Sequence, residues 1–171
     1  MSQGIDIFQT GRSLDFIIAA VNDGAAFGGT TGKQTMVIAN KASVVLFNPV
    51  ASGKTLHLFG LQVMSDTGGI FLSVATITAD PAFTVVASIN KHRGSGQGAV
   101  GLLENNANDA TAAPSAANTT DTLLTQANAE FPYFGSDLVG TKLVAGTGIR
   151  IYVPAQAGAV NYAVNMDWVE Y

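Results

Sequence analysis

The sequence predicts an all-β protein, an antiparallel jelly-roll-like β-sandwich with an extended N-terminal arm and a long irregular insertion. Three observations lead there. About eight short runs rich in Val, Ile, Thr, Leu and Phe are each bounded by Gly, Pro, Asn or Asp. No segment shows a sustained helical period, and no strand is followed by the helix that a parallel crossover needs. The 171 residues fit one ordinary domain and fall short of two.

Residues 1–34 mix apolar patches (Ile5, Ile7 and Phe8, then Phe16-Ile17-Ile18) with Gly24, Gly28, Gly29 and Gly32, which predicts an arm with one or two short strands. Residues 35–171 then form the single sandwich domain. Thr35–Ala39 and Ser43–Phe47 are β-branched runs separated by Asn40-Lys41, and Asn48-Pro49 through Lys54 is a loop. Leu56–Met64 carries large apolar groups on both alternating faces, a pattern that suits a strand pressed against a neighbouring subunit. Asp66-Thr67-Gly68-Gly69 predicts a hairpin into Ile70–Thr78, where Ile70, Leu72, Val74 and Thr76 share a face. Asp80-Pro81 turns the chain into Phe83–Ile89. From 90 to 130 the texture dissolves into Gly, Asn, Ala and Thr, and a loop of that length is usually functional or docked. Strands resume at Lys142–Ala145, Gly148–Val153 and Val160–Val169, the last placing Val160, Tyr162, Val164, Met166 and Trp168 on one face.

Ala, Gly and Thr fill about a third of the positions, and charged residues are only 12%, about half the usual share. A mean hydropathy of +0.29 opposes wholesale disorder. No apolar run approaches the roughly 20 residues of a membrane span, and a net charge of -4 opposes a life on nucleic-acid phosphates. The absence of cysteine removes disulfides and thiolate metal sites. The first residues, Met-Ser-Gln-Gly-Ile-Asp-Ile-Phe, have neither the basic nor the apolar region of a secretory signal, so synthesis in a cytoplasm is expected. So little charge implies either a neutral polar surface or one covered by partners.

Motifs with chemical potential fare poorly against a β frame. Val50–Thr55 ends in Gly-Lys-Thr, but Asn48 stands where a phosphate-binding loop needs its first glycine, and a strand follows where that loop needs a helix. Gly96-Gln97-Gly98-Ala99-Val100-Gly101 matches a dinucleotide fingerprint in letters only, with no crossover helix behind it. His57, between two leucines, and His92 are too few and too isolated for a metal site on facing strands. No Gly-x-Ser-x-Gly occurs, and the acidic residues mostly stand singly in turns, with Glu104 and Glu130 the pair that could converge for sugar cleavage. No cofactor and no metal are therefore expected. Lys91-His92-Arg93 is the one basic cluster, either a solvated loop tip or a set of donors for a partner's carboxylates or phosphate.

The run Ala42–Pro49, followed by Ser52–Leu58, resembles the strand, Asn-Pro, small-residue loop and strand that open many virion β-sandwich proteins of tailed bacteriophages. Gly146–Val153 and Asn161–Tyr171 are similar to the last two strands of the same group. The resemblance covers about 40 residues and excludes the stretch from Asn90 to Glu130. It implies a head decoration or cement protein, a non-enzymatic homotrimer located in the virion and seated on the outer lattice of the major capsid protein. Ile5, Ile7, Phe8, Phe16 and Ile17 are the expected docking residues of the arm, joined by Lys91, His92 and Arg93 of the long loop. The alternative is a tail or fibre carbohydrate-binding module, for which Phe131-Pro132-Tyr133-Phe134 is the candidate aromatic platform.

Overall fold

The computed structural model describes residues 7–67, 70–124, 129–133 and 141–171. Among these residues one helix, α1 (Ile7–Asn22), precedes thirteen strands: β1 (Ala26–Thr30), β2 (Gln34–Met36), β3 (Ala42–Asn48), β4 (Leu56–Ser65), β5 (Phe71–Ile77), β6 (Thr84–Val86), β7 (Ser88–Asn90), β8 (Leu102–Asn106), β9 (Thr119–Leu124), β10 (Ala129–Tyr133), β11 (Lys142–Leu143), β12 (Thr147–Val153) and β13 (Val160–Glu170).

Two antiparallel sheets pack face to face. Sheet A runs β10-β4-β13-β1-β7, with β11 added to β4 and β2 to β13, and sheet B runs β6-β8-β3-β12-β5-β9. Eight of these strands pair in a nested order: β1 with β13, β3 with β12, β4 with β10, and β5 with β9. That nesting is the jelly roll, and it confirms the sandwich expected from the sequence. Between the sheets lies one core that includes Trp168, Leu46, Leu56, Leu58, Leu103, Ile149, Ile151 and Met166. β13 alternates buried and half-buried residues along most of its length, as its sequence pattern requires. Phe27 stacks on Trp168 at 6.2 Å between ring centres. Tyr162 donates its hydroxyl to Asn105 Oδ1 of the opposite sheet at 2.8 Å, and burial pushes its phenol up to about 12.

Several local expectations are corrected. The arm contains a helix. Leu14, Ile17, Ile18 and Val21 do recur at helical spacing, but Gly11 and the β-branched pair Ile17-Ile18 mask it. The helix ends in a Schellman motif: Gly24 sits at φ 70°, its N–H bonds the Val21 carbonyl, and the Ala25 N–H bonds that of Ala20. Ala20 packs against Ala26 and Val169, with Val21 and Phe59 beside them, so α1 lies on the outer face of sheet A.

The two-faced apolar pattern of β4 has an intrachain cause. The pairing with β13 slips between Asp167 and Trp168, leaving Phe59 as an extra residue between Leu58 and Gly60. Leu56 and Leu58 face the core before this bulge, and Leu61 and Val63 face it after, so one core face looks like two. Asp66-Thr67 does not begin a hairpin, because β4 and β5 belong to different sheets. The predicted strand Phe83–Ile89 is two short strands broken at Ala87, β6 in sheet B and β7 in sheet A. The stretch 90–130 holds β8, β9 and the start of β10. Only Leu102-Leu103 and Leu123-Leu124 signalled strands there, amid polar and small residues. The insertion between β5 and β9 thus extends both sheets along one edge of the sandwich.

Candidate functional site

The outer face of sheet A carries a groove of about 800 Å³. Its floor follows from register. Gly28, Asp167 and Gly60 stand opposite one another across β1, β13 and β4, with Ile89 of β7 beyond Gly28. Two residues further along, Thr30, Asn165 and Gln62 form the next row, and Asn165 Nδ2 donates to Gln62 Oε1 at 2.7 Å. The glycines leave room for that carboxylate: a Cβ on Gly28 would lie 2.3 Å from Asp167 Oδ1, and one on Gly60 would lie 3.1 Å from Asp167 Cβ. They sink the floor on either side of one carboxylate.

The wall is the chain that leaves β7. The Lys91 N–H bonds the Ala26 carbonyl, and Asn90 Nδ2 donates to the Gly24 carbonyl at 2.7 Å, fixing this segment beside the helix terminus. Lys91 Nζ reaches over the floor to Asp167 Oδ1 at 2.6 Å, with both side chains about one-third exposed, and stands 5.9 Å from the centre of the Phe59 ring. Exposure at that level makes the pair a weak source of stability, and it leaves both charges accessible. Arg93 also lines the groove and has no ion-pair partner among the described residues.

Lys91 and Arg93 therefore share a site, while His92 is exposed beside it, its N–H bonded to Asn90 Oδ1, and does not line the groove. Phe16 lies edge-on to His57 and Tyr171, at 6.1 and 6.2 Å, and is 44% exposed. Ile17 is half-buried, and Ile7 and Phe8 fall in the first turn of α1. Ile5 lies outside the described residues. On this sheet face Phe59 packs against the cluster of Ala20, Ala26 and Val169 and lies beneath Lys91 Nζ, while Phe16 and Ile17 do not line the groove. Sequence reasoning missed Asp167, Asn165, Gln62, Gly28 and Gly60. Their signal was a run of polar residues at the outward positions of β13, together with glycines inside strands.

Other candidate constellations serve structure. Glu104 is on β8 in sheet B and Glu130 on β10 at the far edge of sheet A, so the two do not converge. Of the aromatic run, Phe131 and Tyr133 take register positions opposite the core residues Val63 and Leu61, and Phe134 lies outside the described residues. Glu104 is buried, and desolvation, followed by the nearby charge of Asp80, raises its carboxyl above the usual range while the Phe83 N–H opposes the shift. Asp109 is buried on the outer side of sheet B. Burial alone would raise its carboxyl, but bonds from Ser43 and Thr111 and the charge of Arg150 hold it below the usual value. Among the described residues no group of three His, Cys, Asp or Glu could hold a metal ion, and no helix is long and apolar enough to cross a membrane.

The fold and this face together define a jelly-roll sandwich with a polar groove on one sheet and a helix laid beside it. No family model matches the sequence, and no curated protein is similar to it.

Proposed function

We propose that the chain is a structural virion protein that decorates a tailed-phage capsid by binding the outer lattice of the major capsid protein, with no catalytic step. The observation that supports this reading most is the gathering of exposed apolar side chains at one pole of the sandwich. Val50 and Val144 are 79% and 56% exposed in the loops around the end of β3 and the start of β12, and Val50 lies against Gly146. Tyr171, 48% exposed, is held there by paired backbone bonds to Thr55, and Phe16 contacts its ring, with Ile18 exposed on the same helix. Lys54 and Lys142 stand exposed around them, the apolar centre and charged rim of a protein contact. A homotrimer is the assembly we propose, with the edge strand β6 and its exposed Val85 available to a neighbouring copy.

Binding to the lattice at a free concentration 100 times the dissociation constant adds about 2.7 kcal/mol per site, enough for many sites together to resist internal pressure. The test is genome release on heating. Particles stripped of the protein should release DNA at lower temperature than complete ones, and added purified protein should restore them. Val50→Asp and Phe16→Asp should lower occupancy on the particle without unfolding the sandwich. Equal release with and without the protein, or full occupancy by both variants, would overturn the proposal.

A further inference from the structure

We propose that the groove on the outer face of sheet A binds a sugar that carries a carboxylate, of the uronic or sialic acid class. This goes beyond the proposed capsid docking, whose apolar centre is placed at the pole of the sandwich, and concerns the groove on the sheet face. The volume of about 800 Å³ falls within the range of about 300–1,000 Å³ typical of small-molecule sites, far larger than a single inorganic anion needs.

The lining divides by chemistry. Arg93, with no ion-pair partner among the described residues, offers a guanidinium, a planar fork matched to two carboxylate oxygens. Asp167 lies at the floor with one oxygen turned to Lys91, and an ionised carboxylate there accepts from sugar hydroxyls. The Asn165–Gln62 amide pair in the next row adds polar groups to the lining. Gly28 and Gly60 remove the side chains that would hold a ring off the sheet. Ile89, 65% exposed, and Met64 supply apolar edges for the C–H face of a pyranose. Two cations against one carboxylate give the site a surplus positive charge inside a chain of net charge -4. That local excess favours an anionic ligand, and the carboxylate in the floor disfavours a continuous phosphate backbone.

Calorimetric titration of the full chain with sialyllactose and with lactose, a pair differing by the acidic sugar, tests the proposal, with trigalacturonate as a second acidic probe and inorganic phosphate as a control. At least one acidic sugar should bind, and lactose and phosphate at least tenfold more weakly. Arg93→Ala should weaken acidic-sugar binding about tenfold or more while leaving the melting temperature unchanged. Asp167→Asn, of equal shape, should also weaken it. Failure of both acidic sugars to bind at millimolar concentration overturns the proposal. So does phosphate binding as tightly as the sugars, or binding indifferent to both substitutions. Each readout uses the isolated protein, so it stands or falls apart from any result on particles.

Discussion

Replacing Asp109 with Ala should produce the largest loss of stability of any single polar substitution on sheet B. Asp109 sits in the stretch between β8 and β9, its side chain fully buried, and Arg150 of β12 pairs with it at 2.6 Å while only 11% exposed. Arg150 also donates to Ser43 and to Thr111, and Ser43 and Thr111 donate to Asp109. Removing the carboxylate leaves a buried guanidinium without its counter-charge, which typically costs about 3–5 kcal/mol. At about 2–4 °C per kcal/mol for a chain of this size, the melting temperature should fall by about 10 °C or more. The pH dependence follows from the lowered folded-state value. The contribution is present above the ordinary carboxylate value of 3.8 and is lost as pH falls through the lower folded one, so parent and variant should converge in acid. Chemical denaturation at pH 7 and at pH 3, with the double variant Asp109→Ala, Arg150→Met as the control, measures it. The double variant should recover most of the loss, because no unpaired charge remains. A single-variant loss below about 1 kcal/mol at pH 7, or a double variant no better than the single one, would refute the reasoning.

Glu104→Gln should raise the melting temperature at pH 7 and leave it unchanged near pH 4. The raised carboxyl favours folding below its unfolded value of 4.5 and loses that advantage as pH climbs through the folded one, and differential scanning calorimetry across the window reads the effect. Glu170→Ala should cost about 3 kcal/mol, since its buried carboxylate accepts from the Val100 and Gly101 N–H groups and from Trp168 Nε1. Red-shifted tryptophan fluorescence and faster amide exchange at Val100 and Gly101 should accompany that loss. Gly24→Ala should cost about 1–2 kcal/mol, because φ is 70° there and the new Cβ would sit 3.0 Å from Ser95 Cβ; urea titration gives the figure.

The layers of the sandwich were legible because period-two alternation is a local signal. β12 and β13 could be drawn from Gly148–Val153 and Val160–Val169 almost as they stand. Pairing was not legible, because which strand lies beside which depends on contacts far along the chain. That is why Asp66-Thr67 has the local signature of a hairpin although its flanking strands lie in different sheets, and why the phase slip at Phe59 looks like a second apolar face. The helix escaped because its cap, Gly24 followed by Ala25, resembles any other glycine in a glycine-rich arm until the backbone angle is known. Half of the groove was visible as Lys91 and Arg93. The other half lay in outward positions of β1, β4 and β13, where polar residues mean only solvent until register brings Asp167 between two glycines.

The nested pairing of the strands has a kinetic consequence. Among the described residues only β6 and β8 join within a short stretch, Thr84 to Asn105; β1 waits for β13 and β3 for β12. Even the innermost long-range pair, β5 with β9, must close around the inserted strands. Every major ladder is therefore preceded by a large loss of chain entropy, and topologies of this kind fold in about milliseconds to seconds rather than microseconds. During synthesis, β3 and β4 leave the ribosome well before the strands that will cover them. Their apolar faces stay uncovered in a chain with few charges to keep copies apart, so productive folding competes with association between nascent chains, and dilution or a chaperone decides the yield.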